Sequence, residues 1–597
     1  MLKDFDAGLI AVPDWVEELD GRTLRRDAVA GLSVGVMLVP QAMAYATLGG
    51  LPPIYGLYAS LIPLLVYPLF GTARQLAVGI VALDMLILAA GLGQMAEFGS
   101  ERYVALAILL AAMVGLIQIG MGFLRLGMLA DLLSRPVVTG FTAAAALVIA
   151  SSQIGPLLGV DLPRSQYVYH VAGPLIERLG EVQPETAVLG GASVLVLIAL
   201  RVWAPRIPRA LVVVGLGIGA TAILGLETRG VAVTGEIPGG LPSPEIPDLT
   251  LGDVRALLPT AVTLALIQLM SAISIGRALS SKHRYTIRPN RELLGLGSAN
   301  LVGSIFRSVP VSASFSRSAV SEEAGARTPL ANVFAAALVV ITLLFLTPVF
   351  ESLPQASLAA IILVGVLGLV SPSEFRTLVR THRRDAGLAI LTALATLTLG
   401  IREGVLIGIV ASTLVVLYRF SRPNVSELGL IPGTHFYRDR DRFEDAEDIR
   451  GVLVLRVDAA FSFFNAAWFR DHVLDRSDDE ENREDRPDLH AVVIEARGIN
   501  DLDTTAIDAL HELVGTLDAR GIQFHLAGLK GRVRDILMNS PVAEQLDDSR
   551  FHLSSHYAVS QILKDWDEEH GTDRLARYRE VTGEENGDQP AGDIPLT

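Results

Sequence analysis

The sequence predicts an α-helical polytopic membrane protein that is followed by a smaller α/β domain. Hydrophobic residues make up 51% of the 597 residues, and the mean hydropathy of +0.44 is too high for a soluble protein of this length. Apolar runs long enough to cross a bilayer recur from Ala28 to Tyr418. From Arg422 onward the composition is that of a soluble domain. We therefore expect four regions: a cytoplasmic N-terminal segment at 1–27, a transmembrane domain at 28–421, an α/β domain at 422–565 and a disordered acidic tail at 566–597.

The apolar region divides into about fourteen predicted membrane segments. With a window of about 20 residues, they lie at 28–46, 56–71, 78–94, 103–123, 136–157, 186–204, 210–226, 254–280, 291–306, 314–324, 329–349, 354–370, 385–400 and 402–420. The third and the tenth are short and begin in polar, irregular sequence. The count is therefore even, with two interrupted segments.

The charges of the connecting loops predict the orientation of the chain. Basic residues concentrate at alternate segment ends: Arg22, Arg25, Arg26, Arg125, Arg135, Arg201, Arg206, Arg209, Lys282, Arg284, Arg288, Arg376, Arg380, Arg383, Arg384, Arg419 and Arg422. The opposite loops are acidic, with Glu177, Glu181, Glu185, Glu227, Glu236, Glu245 and Asp248. By the positive-inside rule both termini are cytoplasmic. We expect a multi-pass protein of the cell inner (plasma) membrane.

Composition also excludes several classes of function. Most of the net charge of −15 lies in the C-terminal region, so we expect no nucleic-acid partner. The chain has no cysteine, which excludes disulfides, thiolate metal sites and cysteine nucleophiles. It shows no metal-ligand cluster, phosphate-binding loop or nucleophile elbow. We therefore expect no enzyme activity, catalytic residue, metal or cofactor.

The stretch from Asn290 to Val320 carries the strongest functional signal. It interrupts an apolar region with Pro310 and small hydroxyl residues and places Arg317 at the start of the next helix. Arginine near a bilayer centre costs about 2.5–3.5 kcal/mol on insertion scales, so its presence points to a function. A broken helix with its N-terminus beside a cation suits an anion. The alternative is a structural arginine that pairs with a helix C-terminus or reaches water.

A weak internal repeat supports the same site. A Gly-Leu-small pattern at Gly56–Leu61 precedes the short third segment, and a similar one at Gly295–Leu301 precedes the short tenth. Seven segments separate the two copies, and an odd offset inverts the second copy. This predicts a seven-plus-seven inverted repeat with the binding site where the two interrupted helices meet.

The C-terminal region predicts a mixed sheet covered by helices. Apolar strands at 452–457, 491–495 and 522–527 alternate with helical stretches at 465–475, 504–520 and 530–538. The acidic run between Asp475 and Pro487 predicts a disordered loop.

Five sequence blocks together resemble the sulfate permease family of anion transporters and exchangers, which in animals is solute carrier family twenty-six. They are Val39–Tyr58 (VPQAMAYA and GGLPPIYGLY), Phe70–Gly79 (FGTARQLAVG), Leu133–Thr142, Asn290–Val320 and, in the tail, Asn500–Thr505 (NDLDTT), which matches the signature loop of a STAS domain. The resemblance implies a fold shared with uracil permease, in which a core domain moves against a gate domain. It also implies a homodimer with cytoplasmic STAS domains.

The resemblance assigns the anion site to three parts of the chain. Ser316 and Arg317 match the family's positions at the start of the tenth helix. Gln41, Tyr45 and Val81 match positions that line the same pocket. The full set of expected substrate-binding residues is Gln41, Tyr45, Gly79, Ile80, Val81, Phe315, Ser316 and Arg317. An alternative for Gln41 is that it only caps backbone at a helix broken by Pro40.

This chain departs from the family pattern at the positions linked to ion coupling. Many members carry a glutamate in the eighth segment, and sodium–bicarbonate members carry an aspartate there with a threonine one turn later. Here those positions are Ser271 and Ile275, and Ile80 replaces the usual proline after Gly79. Ser271 and Gln268 of the same segment stay coupling candidates, although serine cannot carry a coupling proton.

A carboxylate occurs instead at Asp84, in the otherwise apolar stretch Leu76–Leu88. An unpaired ionised carboxylate is strongly disfavoured there. Either Asp84 pairs with Arg317, or it takes up a proton when an anion binds. We hypothesise that Asp84 replaces the lost carboxylate and couples anion movement to protons. The alternative is a static ion pair or a hydrogen bond to a neighbouring helix.

In the STAS region, Thr504 follows Asp503 at the place where related bacterial regulators carry a phosphorylated serine. These residues would form a regulatory switch, and a cytoplasmic partner would then bind the domain. The alternative is a helix N-cap, because Asp and Thr both cap well.

The sequence as a whole predicts a secondary active transporter. Its substrate would be a small anion of the sulfate, bicarbonate, chloride, nitrate or dicarboxylate class, moved by alternating access with proton symport or anion exchange. The expected partners are that anion, a co-transported proton, membrane lipid and a second copy of the chain. The alternatives are a sodium-dependent bicarbonate symporter, an anion channel or voltage-responsive protein, and a membrane-anchored signalling protein.

Overall fold

The computed structural model describes residues 15–16, 19–131, 134–162, 167–204, 207–245, 250–367, 370, 372–481 and 489–583. The chain divides into two units, Met1–Ser412 and Thr413–Thr597, and the division falls within the last helix of the apolar region.

The first unit is almost entirely helical. In chain order its elements are α1 Gly21–Leu48, α2 Pro53–Ala59, α3 Ile62–Val66, β1 Val78–Gly79, α4 Ala82–Leu92, α5 Glu101–Phe123, α6 Arg135–Ser152, α7 Ile154–Leu158, α8 Val168–Glu177, α9 Pro184–Trp203, α10 Arg209–Leu224, α11 Leu251–His283, α12 Pro289–Ile305, β2 Ser312–Ala313, α13 Phe315–Glu323, α14 Leu330–Ile341, α15 Thr347–Phe350, α16 Gln355–Leu367, α17 Pro372–Thr381, α18 Arg383–Leu399 and α19 Ile401–Ser421. A π-helical turn at Thr342–Leu346 joins α14 to α15.

Many of these helices are long and apolar enough to cross a bilayer. Within the described residues, eight meet both conditions: Gly21–Leu48, Glu101–Phe123, Arg135–Leu158, Pro184–Trp203, Leu251–His283, Leu330–Phe350, Gln355–Thr381 and Glu403–Ser421. Three shorter apolar stretches lie at Pro53–Leu69, Ala82–Leu92 and Arg209–Leu224. Helical elements occur at every predicted segment, and the number of crossings, fourteen, stays a prediction.

Two groups of helices pack together in this unit. The core group comprises α1–α5 and α11–α14, and its closest pairs are α5 with α12 and α1 with α14. The flanking group comprises α6, α7, α9, α10, α16 and α18, with α6 against α18 and α9 against α16. Each group draws helices from both halves of the sequence, as an inverted repeat requires.

Small residues allow the core helices to approach closely. A Cβ at Gly56 would lie 2.0 Å from the carbonyl oxygen of Ala42, which brings α2 against α1. A Cβ at Gly115 of α5 would lie 2.6 Å from the backbone nitrogen of Leu301 in α12. The Gly-rich patterns of the sequence thus serve helix packing.

The second unit is an α/β domain built on one sheet. Its elements are β3 Val425–Leu430, β4 Tyr437–Asp439, β5 Val452–Val457, α20 Ala466–Glu481, β6 Ala491–Glu495, α21 Thr504–Ala519, β7 Gln523–Ala527, α22 Gly531–Met538, α23 Val542–Gln545, β8 Phe551–His552, α24 Ser555–His570 and α25 Arg574–Thr582. The strand order is β4-β3-β5-β6-β7-β8. The strands from β5 to β8 are parallel, and β3 pairs antiparallel with both β4 and β5. The three predicted strands form the centre of this sheet, which is apolar on both faces.

Two predictions of disorder are wrong for part of their range. Within the tail expected from residue 566, α24 continues to His570 and α25 spans Arg574–Thr582. Tyr578 of α25 is buried beside α24, and its hydroxyl lies 3.0 Å from that of Tyr437. The acidic run after Asp475 continues α20 to Glu481, with Asp478 accepting a hydrogen bond from Arg520. Residues 482–488 and 584–597 lie outside the described residues.

Candidate functional site

Two short helices begin at one small antiparallel ladder in the first unit. In this ladder β1 pairs with β2, with Val78 opposite Ala313 and Gly79 opposite Ser312. Strand β1 leads into α4, and β2 leads into α13. The ladder is only two residues long, so both helix N-termini lie within a few residues of it. Their free backbone N–H groups together supply partial positive charge to one place.

The N-terminus of α13 presents small polar groups. Ser314 is its N-cap, and its hydroxyl accepts from the backbone N–H of Arg317 at 3.5 Å. The Ser316 hydroxyl lies 3.4 Å from that of Ser314. Both Phe315 and Ser316 are exposed, so this end of the helix is open to a ligand.

Arg317 is fully buried, with 0% of its surface exposed. Within the described residues, none of its three guanidinium nitrogens has a hydrogen-bond partner. Buried donors without hydrogen-bond partners are strongly unfavourable, and more so when they belong to a charged group. The guanidinium therefore has the donors and the charge to bind an anion.

Gly79 lets the guanidinium lie against the backbone of β1. A Cβ at this position would lie 3.2 Å from Nη2 of Arg317, closer than ordinary contact. Its φ of +147° also favours glycine. Ile80 is fully buried, and half-buried Val81 is the N-cap of α4, to which it gives no side-chain hydrogen bond.

Helix α1 approaches the same place through Tyr45, and it carries Gln41 one turn earlier. Gln41 is 7% exposed, and within the described residues its Oε1 has no hydrogen-bond partner. That oxygen therefore accepts no backbone hydrogen bond among the described residues, and the substrate-binding role of Gln41 stays a prediction. Tyr45 is half-buried one turn later, and it interacts electrostatically with Arg317, as Asp84 also does.

Asp84 lies in the first turn of α4 and is 2% exposed. Its Oδ2 accepts a hydrogen bond of 2.9 Å from Nε2 of Gln268 on α11. Among the described residues no hydrogen bond joins its carboxylate to Arg317. Asp84 is thus hydrogen-bonded to a neighbouring helix, the alternative that the sequence left open, while it stays in the electrostatic range of the arginine.

The structure places the two other coupling candidates on α11. Ser271 is half-buried and lies less than one turn after Gln268, and Ile275 is buried. Gln268 therefore links Asp84 to the segment where the family pattern has its carboxylate.

A buried network of amide side chains extends from Asp84, and sequence reasoning missed most of it. Oε1 of Gln268 accepts from Gln118 at 2.9 Å and from Asn300 at 3.3 Å. All three amides are 0% exposed. The available signal was an amide residue in each of three apolar segments, because polar side chains inside a membrane region are rare and usually paired.

A cavity of about 350 Å³ lies between the two helix groups. Thr47, Leu86 and Ala90 line it from α1 and α4, and Gln153 and Ile362 line it from the flanking group. It follows α4 toward its C-terminus and does not include Arg317. The ladder and the cavity are therefore separate features along the same short helix.

In the second unit, Asp503 is the N-cap of α21. Its Oδ1 accepts from Ala506 N–H at 2.9 Å, and its Oδ2 accepts from Phe463 N–H at 2.7 Å. Thr504 is the first residue of the helix and is exposed. Capping by Asp503 is thus observed, and the regulatory role of Thr504 stays a prediction. No group of three or more His, Cys, Asp or Glu side chains is arranged to hold a metal in the part of the chain that the structure describes.

Comparisons with known proteins match both units. The model of the sulfate permease family matches residues 24–392, and that of the STAS domain matches residues 445–558. The chain is 36% identical over 548 residues to "Sulfate transporter 4.1, chloroplastic" of Arabidopsis thaliana, covering 90% of this chain and 80% of that protein. It is also 36% identical over 547 residues to a probable sulfate transporter of Mycobacterium tuberculosis, covering 92% and 97%.

A solved structure is similar over nearly the whole chain. It is that of the murine solute carrier 26 family member A9 anion transporter in the inward-facing state. Its TM-score is 0.85 at 25% identity, and the match covers 94% of each chain.

Proposed function

Because the chain belongs to the sulfate permease family, we propose that Arg317 and the N-termini of α4 and α13 bind a small anion, which the protein carries across the membrane by alternating access. Anion transport itself is what the named relatives support. The observation that carries the location of the site is the buried guanidinium without a hydrogen-bond partner among the described residues.

The electrostatics of this site favour an anion that has lost its water. Each helix N-terminus carries about half a positive charge, and Arg317 adds a full one. On binding, the oxygen atoms of the ligand would lose their hydrogen bonds from water. They would instead accept hydrogen bonds from the backbone N–H groups of α4 and α13, the guanidinium and the Ser316 hydroxyl. Low surrounding polarity strengthens these interactions relative to those in water. Gln41 and Tyr45 would complete the site from α1.

We propose sulfate as the first substrate to test. The two relatives described above are named a sulfate transporter and a probable sulfate transporter. The planar guanidinium offers paired donors that fit an oxyanion. One fixed cation also suits a monoanion, so chloride, nitrate and bicarbonate belong in the same panel, with a dicarboxylate as a second dianion beside sulfate.

Asp84 is the proposed coupling group. When it is ionised, its charge cancels that of Arg317 and the empty site is neutral. A bound anion then places negative charge near the carboxylate, which favours uptake of a proton by Asp84. Gln268 holds the carboxylate in place during this change, through the 2.9 Å hydrogen bond.

The arrangement of helices suits movement of the core group against the flanking group. The short helices α4 and α13 both belong to the core group, so the site would move with it. The cavity of about 350 Å³ lies between the two groups and would form part of the path to the site.

We further propose a homodimer in the plasma membrane with both termini cytoplasmic. The basic residues of alternate loops support this orientation of the termini.

The central experiment is an uptake panel in proteoliposomes that contain the full chain. Labelled sulfate, chloride, nitrate, bicarbonate and a dicarboxylate are offered under separate proton and sodium gradients. We expect saturable, trans-stimulated uptake that an inward proton gradient increases and a sodium gradient does not. Uncoupled current without saturation would instead identify a channel, and uptake of none of these anions would refute the proposal.

Substitution of Asp84 tests the coupling. Asp84→Asn keeps an oxygen that Gln268 can donate to, so we expect saturable sulfate uptake that no longer responds to the proton gradient. Asp27→Asn is the matched control, because Asp27 is also a fully buried carboxylate and accepts hydrogen bonds from Thr328. Sulfate uptake by folded Asp27→Asn protein should still increase with an inward proton gradient. If proton uptake with sulfate persists in Asp84→Asn, Asp84 is not the coupling group.

A further inference from the structure

Two buried asparagines hold the backbone on either side of the β1–β2 ladder. We propose that Asn300 and Asn332 are positioning residues of the anion site, which fix the two strands that lead into α4 and α13. This inference rests on the proposed function, because it concerns the geometry of the same site. Neither residue belongs to the strands or to the short helices that it would position.

Asn332 holds the strand that leads into α4. It lies in the first turn of α14 and is 3% exposed. Its Nδ2 donates to the carbonyl of Leu76 at 2.8 Å, and its Oδ1 accepts from the N–H of Val78 at 3.4 Å. Both ends of one side-chain amide thus bind the same extended segment.

Asn300 holds the strand that leads into α13 in the same way. It lies in α12 and is 0% exposed. Its Nδ2 donates to the carbonyl of Val311 at 3.1 Å, and its Oδ1 accepts from the N–H of Val311 at 2.8 Å. The same Nδ2 is 3.2 Å from Oε1 of Gln118 and 3.3 Å from Oε1 of Gln268. We call each of these paired side-chain contacts a clamp. The Asn300 clamp contacts Gln268, which in turn holds Asp84.

The ladder needs such support because it is very short. It comprises two residue pairs, and even a complete two-stranded hairpin is only marginally stable by itself. Near the ladder, Ala77 adds a carbonyl that accepts from Ser314 N–H at 3.0 Å and an N–H that donates to Ser318 at 2.9 Å. These additional bonds join the two short-helix segments to each other. The asparagines instead join them to long helices.

The long helices are the rigid reference for the site. Helix α12 packs along α5, and α14 packs along α1, so each asparagine is fixed by an extensive helix interface. The clamps transmit these positions to the β1 and β2 backbone and thus to the amides of α4, the amides of α13 and the Gly79–Arg317 contact. Misplacement by about 1 Å at a binding site can cost up to about a hundredfold in rate. Loss of one clamp should therefore weaken anion binding before it affects the overall fold.

The test compares Asn300→Ala and Asn332→Ala, and the milder Asn300→Ser and Asn332→Ser, with two matched controls. Ser304→Ala is the control on α12, because its buried hydroxyl donates to the carbonyl of Leu301 within its own helix. Thr342→Ala is the control after α14, where the buried hydroxyl bonds to Leu338. The readouts are the half-saturating concentration of labelled sulfate in proteoliposomes and hydrogen exchange of the purified full chain.

We expect each asparagine variant to raise the half-saturating sulfate concentration about tenfold, with a smaller change in maximal uptake per folded molecule. Exchange should become about tenfold faster at 76–79 in the Asn332 variants and at 309–313 in the Asn300 variants. The control variants should change neither quantity.

Three results would overturn the inference. In the first, hydrogen exchange of the asparagine variants is unchanged in both segments. In the second, exchange is faster but the half-saturating sulfate concentration is unchanged. In the third, less of the variant protein folds, while the folded molecules bind sulfate as the wild type does. Failure of the proposed function is distinguishable from these, because it would show in the wild-type chain as absence of saturable sulfate uptake. Hydrogen exchange tests the clamps in either case.

Discussion

At the scale of single residues, Arg317 is the group whose surroundings most need a ligand. The ion pair of Arg102 with Asp253, at 2.5 Å, lies partly in solvent, because the arginine is 46% exposed. Arg317 has neither solvent nor a hydrogen-bond partner among the described residues. Even with the opposing charge of Asp84 nearby, buried donors without hydrogen bonds lower the stability of the unliganded protein, which is a common cost of a binding site.

Replacement of Arg317 separates function from stability. We expect Arg317→Gln to reduce saturable sulfate uptake at least about a hundredfold, because both the charge and the paired donors are lost. The unliganded variant should keep its fold, because Asp84, once the opposing charge is gone, can take up a proton and so avoid being an uncompensated buried charge. Arg317→Lys should retain part of the binding, because it keeps the charge without the planar donors.

The measurements are labelled sulfate uptake and thermal unfolding with and without sulfate. Sulfate should stabilise the wild type and not Arg317→Gln. Arg102→Gln is the control, because it removes an arginine that is partly exposed and paired with Asp253. Uptake by Arg317→Gln at the wild-type half-saturating concentration would contradict this assignment.

At the scale of elements, the ladder and its two short helices form one structure that needs both halves of the membrane region. Strand β1 comes from the first half of the sequence, and β2 comes from the second. Pairing of Gly79 with Ser312 brings the start of α4 beside the start of α13. The glycine at this position is needed because the guanidinium from α13 lies against the β1 backbone.

Capping of α21 is an element-scale feature of the second unit, and it yields a prediction. Asp503 accepts two backbone hydrogen bonds, from Ala506 and Phe463. Asp503→Ala should therefore lower the free energy of unfolding of this unit by about 1–2 kcal/mol. Because Thr504 is exposed, Thr504→Ala should change the free energy of unfolding by no more than about 0.5 kcal/mol.

Chemical denaturation of both variants, followed by circular dichroism, checks this prediction. Wild-type protein and Thr504→Ala should unfold at nearly the same denaturant concentration. Equal destabilisation by the two substitutions would show that the threonine, too, stabilises the start of the helix. The regulatory role of Thr504 needs a separate test, in which Thr504→Glu changes sulfate uptake without a change in stability.

At the scale of the whole molecule, each unit has its own hydrophobic core. The clusters that cover the two faces of the six-stranded sheet contain only residues of the second unit. We therefore expect a fragment from Arg422 to Gly583 to fold by itself. The membrane unit has a different organisation, since its core group combines helices from both halves of the chain.

A buried histidine pair makes the stability of the second unit depend on pH. His525 and His552 are each 5% exposed, and Nδ1 of His525 lies 2.9 Å from Nε2 of His552. Burial, and for His525 also the neighbouring His552, lowers the pKa of His525 to about 3 and that of His552 to about 4. Below about pH 6.5 the unfolded chain binds protons that the folded unit does not.

The free energy of unfolding should therefore fall as the pH is lowered from 7 to 5, by about 2 kcal/mol for each histidine. The loss should level off near pH 4 and below, where the folded unit also becomes protonated. Urea unfolding of the isolated unit at pH 7 and pH 5 measures this change. The double substitution His525→Asn and His552→Asn should remove most of the difference, and an unchanged difference would show that other groups cause it.

Several of the main features were determined by the sequence alone. Contiguous apolar runs indicated membrane segments, the third and tenth were recognisably short, and Arg317 lies at the start of α13 as expected. The three central strands of the second unit also lie where they were predicted. These features depend on hydropathy, turn residues and spacing within short stretches of chain, and such local patterns are visible without a structure.

Other features depend on residues that are distant in sequence, and only the tertiary structure decided them. Asp84 binds Gln268, which is 184 positions away, and Asn332 binds Leu76, which is 256 positions away. Helix α25 forms because Tyr578 packs against α24 and reaches Tyr437. The partner of a buried polar group depends on which helices pack together, and a local pattern contains no record of that packing.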